Sequence, residues 1–101
     1  MTRELRPATG ARFLLERLRD DGTRAEYRAA IYTPTAEYVG SAMLDEAGGV
    51  TLTATGAPAE LHDMLAMQAR LLARGASKRR TDGLSVWPLR LMRWRGPGRG
   101  G

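Results

Sequence analysis

Apolar and polar residues alternate at every second position through much of the first half of the chain. This spacing is typical of strands that bury one face. The segments are separated by Asp20-Asp21-Gly22 and by Asp45-Glu46-Ala47-Gly48-Gly49, which carry the turn chemistry of hairpins. The pattern therefore predicts an antiparallel meander of four strands, at residues 11–20, 24–33, 35–44 and 50–55.

The first of these strands, at residues 11–20, has a second interpretation. Phe13 and Leu15 alternate with their neighbours as in a strand, but Leu14, Leu15 and Leu18 also suit one face of a helix. The hairpin turn that follows is expected only where a strand leads into it. We therefore predict a strand here.

A different spacing follows, in which apolar residues recur every three or four positions. It predicts a helix from Pro58 to Arg74, because Pro58 suits the first helical turn and Gly75 suits an end. The apolar face of this helix is formed by Leu61, Met64, Leu65, Gln68, Leu71 and Leu72.

The remaining segments are shorter or less regular. Residues 76–83 predict a polar connection, and residues 84–95 predict a last strand that Pro88 interrupts or places at an edge. Residues 1–10 predict a flexible lead-in, and the Gly/Arg-rich residues 96–101 predict a disordered tail.

These elements together predict a single α+β domain over residues 11–95: an antiparallel four-stranded meander, one amphipathic helix packed on one sheet face, then a C-terminal strand. The predicted strands carry apolar residues on both sides, and one helix cannot cover two sheet faces. The uncovered face should meet a partner chain, the N-terminal segment or a ligand, and we expect a homodimer. Its candidate residues are Tyr32, Val39 or Met43, and Trp87 or Leu91.

The chain of 101 residues contains no cysteine, which excludes a disulfide framework, a thiolate metal site and a cysteine nucleophile. A reducing cytoplasm is the expected location. The first ten residues carry charges at Arg3, Glu4 and Arg6, so we expect no secretory signal. No apolar stretch approaches the roughly 20 residues that cross a bilayer, so we expect no membrane partner.

Catalytic chemistry finds little support in the sequence. His62 is the only histidine and lies near Glu60 and Asp63, but side chains one or two positions apart on a helix do not face one another. No serine has a Gly-x-Ser-x-Gly context. The glycine-rich residues 96–101 precede no helix that could bind a phosphate. We therefore predict no enzyme, no cofactor and no metal site.

Charge is distributed unevenly along the chain. The net charge is +5, and all the basic residues except Lys78 are arginine, which GC-rich coding alone can favour. Through residue 69, seven basic residues face ten acidic residues, whereas from Arg70 onward nine basic residues face Asp82 alone. Such asymmetry within one domain indicates a polyanionic partner.

The basic residues from Arg70 onward are the candidate site. Cations at the end of the predicted helix partly serve to complement its dipole. The following segment interleaves Trp87 and Trp94 with arginines, and aromatic rings beside guanidinium groups are typical of single-strand binding. We expect a small cytoplasmic nucleic-acid-binding or nucleic-acid-associated accessory domain, with single-stranded nucleic acid favoured. The candidate residues are Arg70, Arg74, Lys78, Arg79, Arg80, Trp87, Arg90, Arg93, Trp94, Arg95 and Arg99.

The alternative is a protein-interaction adaptor. Either tryptophan can be a core anchor, and the arginines can be the solvated side of an edge strand. The chain would then use an exposed apolar sheet face, and its basic tail would contact an acidic protein. A nucleic-acid partner would be favoured if the open face carried Trp87, Tyr32 and Arg28. A protein partner would be favoured if the open face carried Val39, Met43 and Leu91.

Overall fold

A computed structural model describes residues 7–96 of the chain. It confirms the α+β architecture of a four-stranded antiparallel meander, a helix packed against the sheet and a C-terminal strand. Of the helices in this range, none is long and apolar enough to cross a membrane. In chain order the elements are β1 (Ala11–Asp20), β2 (Arg24–Tyr32), β3 (Glu37–Asp45), β4 (Val50–Leu52), α1 (Ala59–Arg74), α2 (Ala76–Thr81) and β5 (Arg90–Arg95).

The strands form one sheet in the order β4-β3-β2-β1-β5, and all neighbours are antiparallel. Short connections join the first four strands, so each of them lies beside its neighbour in sequence. β5 instead pairs with the other side of β1, where Arg95 lies opposite Ala11 and Arg90 lies opposite Glu16. β1 is therefore an interior strand, with a local partner on one side and a distant partner on the other.

Both helices pack on one face of the sheet, which we call the helix face. Successive side chains of a strand point to opposite faces, so alternate residues of each strand reach the helices. Small side chains such as Ala69 and Ala73 let α1 approach the sheet closely. The main core on this face consists of Ala11, Phe13, Leu15, Ala25, Tyr27, Ala29, Ile31, Ala42, Leu44, Leu65, Ala69, Leu72, Ala73, Ala76 and Trp87.

The opposite face of the sheet, which we call the second face, has a small apolar cluster of its own. Leu14, Ala30 and Tyr32 are buried there and form a group separate from the main core. Leu14 is buried on this face and Phe13 and Leu15 on the other, which confirms that β1 is a strand. Within residues 7–96 no helix covers the second face, as the sequence pattern predicts.

Two segments near the end of the described chain differ from the sequence prediction. Residues 76–81 form the short helix α2 instead of a polar connection, and the last strand begins at Arg90 rather than Leu84. The late start of β5 has a physical cause. Trp87 turns its ring into the main core, and Pro88 has no N–H to donate to a ladder.

Part of the predicted lead-in is described by the structure. Pro7 is buried, and the carbonyl of Thr9 accepts a hydrogen bond of 3.0 Å from the indole N–H of Trp94 in β5. This contact places the segment just before β1 beside β5. The predictions for residues 1–6 and 97–101 concern positions outside the described residues.

A buried tyrosine links the sheet to the segment that precedes β5. Tyr27 lies on the helix face, and its hydroxyl donates a hydrogen bond of 2.6 Å to the carbonyl of Pro88. Burial raises the pKa of Tyr27 to about 12, and the nearby charges of Arg17 and Arg79 oppose this increase only in part. The neutral phenol is therefore favoured in the folded state.

Because the pKa of Tyr27 is higher in the folded chain than in the unfolded chain, stability should fall as the pH rises from about 10 to about 12. In this window the unfolded state loses the phenol proton first. Tyr27→Phe should lower the free energy of unfolding near neutral pH by about 1 kcal/mol, for the lost hydrogen bond, and should flatten the alkaline decrease. Urea denaturation of both proteins across this pH range measures the effect. Parallel curves for the two proteins would contradict it.

Candidate functional site

Two of the three cations on α2 form ion pairs with carboxylates of the same chain. Lys78 Nζ lies 3.0 Å from Asp82 Oδ2, one turn further along the chain. Arg80 donates to both carboxylate oxygens of Glu46, at 2.8 and 3.1 Å, and to the carbonyl of Gly22 at 2.6 Å. The hydrogen bond with Glu46 raises the pKa of Arg80. A polyanion would have to displace these contacts to use either cation.

The third cation of α2, Arg79, is half-buried and bonds to the main chain. Its Nε donates to the carbonyl of Val86 at 2.7 Å, and its Nη2 donates to the carbonyl of Leu72 at 2.6 Å. Gly75 leaves room for this side chain, since a Cβ at that position would lie 2.5 Å from Nη1 of Arg79. Arg79 therefore fastens α2 to the last turn of α1 and to the segment before β5.

Trp87 is part of the main core, with an exposed fraction of 2%. Its indole N–H donates to the carbonyl of Gly22 at 3.1 Å, so the polar end of the ring is also engaged. Its own carbonyl accepts a hydrogen bond of 2.7 Å from Arg17 Nη1. A ring in this position has no face available for stacking on a base.

β5 carries an exposed tryptophan and three arginines of the predicted site. Trp94 is 55% exposed, although its indole N–H bonds to the carbonyl of Thr9. Arg93 and Arg95 flank it, and Arg90 begins the strand. Across the described part of the chain, none of these three arginines forms an ion pair. β5 therefore presents an aromatic ring and unneutralised cations on an edge strand.

The other candidate residues lie apart from β5. Arg70 and Arg74 are exposed on α1, and neither has an ion pair with any residue between 7 and 96. A Cβ on Gly48 would lie 3.7 Å from Cγ of Arg74, which places this arginine at the turn between β3 and β4, away from β5. Arg99 lies outside the described residues. The predicted basic residues therefore do not form one continuous surface.

Exposed apolar side chains lie on either side of the buried cluster of the second face. Val39 and Met43 of β3 are 42% and 41% exposed, and Met92 and Trp94 of β5 are 36% and 55% exposed. The sequence pattern identified the first pair as candidates for the open face but not the second pair. Its other candidate there, Leu91, packs instead against the main core on the helix face. The orientation of β5 depends on its pairing with β1, which is distant in sequence, so no local signal assigns its two sides.

Charges on the second face are largely paired. Arg28 lies 3.8 Å from Glu16 and donates to the hydroxyl of Tyr32 at 3.2 Å. The hydrogen bond with Tyr32, aided by nearby carboxylates, raises the pKa of Arg28. Arg19 and Glu26 form a second pair, with 2.7 Å between Nε and Oε1. This part of the second face therefore combines exposed apolar groups with balanced charge, whereas the cations of β5 are unbalanced.

Comparison of the chain with protein-family models, with curated proteins and with solved structures finds no match. The two surfaces described above, the second face and β5, are therefore the basis for assigning a function.

Arg79→Ala should lower the free energy of unfolding by about 1.5 to 3 kcal/mol, because the carbonyls of Val86 and Leu72 lose a charged donor. Arg79→Lys should recover only part of this loss, since one ammonium group does not reproduce the fork of a guanidinium. Arg70→Ala, at an exposed position of α1, is the control and should change stability by less than about 0.5 kcal/mol. Urea denaturation measures all three variants. Equal stability for Arg79→Ala and Arg70→Ala would show that Arg79 is not a structural residue.

Proposed function

We propose that this chain is a protein-interaction adaptor, which self-associates through the second face and contacts an acidic protein with the basic residues of β5. The placement of apolar and aromatic residues carries the proposal. Val39 and Met43 stay exposed on the second face, whereas Trp87 and Tyr32, which a base-stacking surface would have to expose, are buried. Exposed apolar groups rimmed by polar residues are typical of protein contacts. A chain without cysteine suits a reducing compartment, and we propose the cytoplasm.

The proposed occupant of the second face is a second copy of the chain, which would cover the exposed residues on either side of the buried cluster. In the strand order, β3 and β5 lie at equal distances from the line between β2 and β1. A two-fold axis parallel to the strands along this line would stack β3 of one copy over β5 of the other, as in aligned sheet packing. Val39 would then lie over Met92 of the other copy, because both residues are in register with Leu14 of β1.

The charges of the second face are compatible with this homodimer. Arg28 already has Glu16 beside it, and Arg19 has Glu26. Two copies can therefore approach face to face without these pairs opposing association. Arg90, the β5 arginine on this face, would lie over Ser41 of the other copy and not over a second cation. Arg93 and Arg95 of β5 lie on the helix face, outside this interface, so they remain available for a different, acidic partner.

Val39→Glu should weaken the homodimer by at least about thirtyfold, because a carboxylate would be buried in the interface without a partner. Met67→Glu is the matched control, since Met67 has a similar exposed fraction of 46% but lies on α1. Light scattering over a range of protein concentrations measures the dissociation constant of each variant. A wild-type protein that stays monomeric at high micromolar concentration would exclude the homodimer, as would equal dissociation constants for the two variants.

A second candidate function is the binding of single-stranded nucleic acid through β5. The specific observation that favours it is Trp94, which is 55% exposed between Arg93 and Arg95. An exposed ring can stack on a base, while neighbouring guanidinium groups bind phosphates. The site would be smaller than the one predicted from the sequence, because Arg79, Arg80 and Trp87 are used in the fold.

Fluorescence anisotropy with short DNA and RNA oligomers at two salt concentrations tests this second function. Contacts with about three phosphates should give a log-log salt slope near −2 on single strands. Trp94→Ala should weaken binding by about 1 to 3 kcal/mol without changing that slope, and Trp94→Phe should restore most of the affinity. The absence of binding at low salt would exclude this function and leave the adaptor.

A further inference from the structure

β5 is the last strand of the sheet, and one of its edges faces away from β1. The N–H of Arg17 bonds to the carbonyl of Leu89, in register with the ladder between β1 and β5. Bonded and non-bonded pairs alternate along an antiparallel ladder, so the odd-numbered residues of β5 bond to β1. Over residues 7–96 no strand pairs with the other edge. The N–H and C=O groups that point toward this free edge are those of Arg90, Met92 and Trp94. Among them, the carbonyl of Met92 also accepts a hydrogen bond of 3.1 Å from Nη1 of Arg93.

A cleft of about 260 Å³ lies beside β5 on the helix face, between this strand and α1. Its walls include Leu71 and Leu72 of α1 and Pro88 and Leu91 on the β5 side, together with the amide of Gln68. Leu71 is 59% exposed, although it belongs to the apolar stripe of the helix. A strand added to the free edge of β5 would direct every second side chain toward this side of the sheet. The cleft is therefore placed to receive an apolar side chain of such a strand.

The cleft is also positively charged. Arg79 and Arg93 line it, and no Asp or Glu is among the described residues that do so. Arg79 uses Nε and Nη2 for main-chain carbonyls, which leaves Nη1 for another acceptor. Arg95 lies on the same side of β5 as Arg93, because side chains alternate along a strand. Guanidinium groups bind carboxylates with good geometry, so the charge favours an acidic strand.

A second copy of β5 does not suit this edge. Antiparallel pairing of two such strands about a two-fold axis would bring together Arg90, Arg93 and Arg95 of each copy. Like charges that face each other across strands are destabilising, and charged side chains on an edge strand discourage self-pairing. Charge complementarity therefore selects a different chain that carries carboxylates.

We propose that β5 accepts an extended acidic segment of a partner protein as a sixth strand of the sheet. Main-chain hydrogen bonds to Arg90, Met92 and Trp94 would supply affinity, as in other cases of strand addition. On the helix face, carboxylates of the segment pair with Arg93 and Arg95, and an apolar side chain enters the cleft. This inference rests on the proposed adaptor function and specifies how the acidic partner is bound.

The probe is a fluorescein-labelled peptide of sequence Thr-Glu-Thr-Glu-Thr-Leu-Thr, which places two glutamates and one leucine on the same side of an extended strand. Anisotropy titration with the full chain should show binding that weakens with added salt. The same peptide with lysine in place of glutamate should not bind. A version N-methylated on the residues that donate to β5 should bind at least about tenfold more weakly, because it keeps the charge but loses main-chain donors.

Two substitutions at one position separate strand addition from simple charge attraction. Met92→Pro removes an outward N–H while leaving the bonds to β1, and proline is tolerated on edge strands when its nitrogen faces away from the sheet. Met92→Pro should lower the affinity for the peptide by at least about tenfold, whereas Met92→Ala should change this affinity by less than about threefold. Arg93→Gln should lower the affinity for the peptide by about tenfold, because one glutamate of the peptide loses its charged partner.

The outcomes distinguish this inference from the adaptor function on which it rests. If the peptide binds but N-methylation and Met92→Pro have no effect beyond that of Met92→Ala, strand addition is overturned and an acidic partner still stands. If poly-glutamate binds as tightly as the peptide, the proposed insertion of an apolar side chain into the cleft is wrong, and so is the proposed register of the segment. If neither acidic probe binds, contact with an acidic protein fails as well. If an oligonucleotide binds to the arginines of β5 and the acidic peptides do not, nucleic acid is the ligand of this strand.

Discussion

The fold depends on how the irregular segment at residues 86–88 crosses from α2 to β5. Its three successive carbonyls each accept a hydrogen bond from a side chain of a different element, namely Arg79 of α2, Arg17 of β1 and Tyr27 of β2. Main-chain carbonyls that are removed from water need such donors, because an unpaired one costs as much free energy as a lost hydrogen bond. These three side-chain donors satisfy the carbonyls of residues 86–88, so this segment can lie against the main core without forming a helix or a strand. Without this crossing, β1 would be an edge strand.

The guanidinium group of arginine has two roles in this molecule, and its surroundings decide whether it stabilises the fold or is available to a partner. Arg79 donates to two carbonyls and is a structural residue, whereas Arg93 lies on an exposed edge and has no ion pair among the described residues. A guanidinium presents several donors in a fixed plane, which suits main-chain carbonyls as well as carboxylates and phosphates. Counting basic residues therefore overestimates the charge that a partner can use. The available charge is concentrated on β5, at one edge of the sheet.

Local patterns predict most of the fold, and distant contacts account for what they miss. Alternation and turn residues identify the four strands of the meander, and the spacing of apolar residues identifies α1, because each signal lies within one element or one hairpin. α2 is only six residues long, too short for a helical period to be recognised. The pairing of β5 with β1 and the burial of Trp87 both depend on residues far away in the sequence. Which basic residues are used inside the fold also depends on distant contacts. Arg80, for example, pairs with Glu46, which lies 34 positions away in the sequence.

The position of β1 inside the sheet has a consequence for the growing chain. Its outer partner is made late, because Ala11 pairs with Arg95, more than 80 residues further along the chain. During synthesis, β1 and β2 can form their hairpin early, but the other edge of β1 stays unpaired beside Phe13 and Leu15 until β5 has left the ribosome. An apolar strand with an open edge can pair with other chains in that interval. The pairing of β5 with β1, and not the formation of the hairpins, therefore closes this apolar edge of the nascent chain.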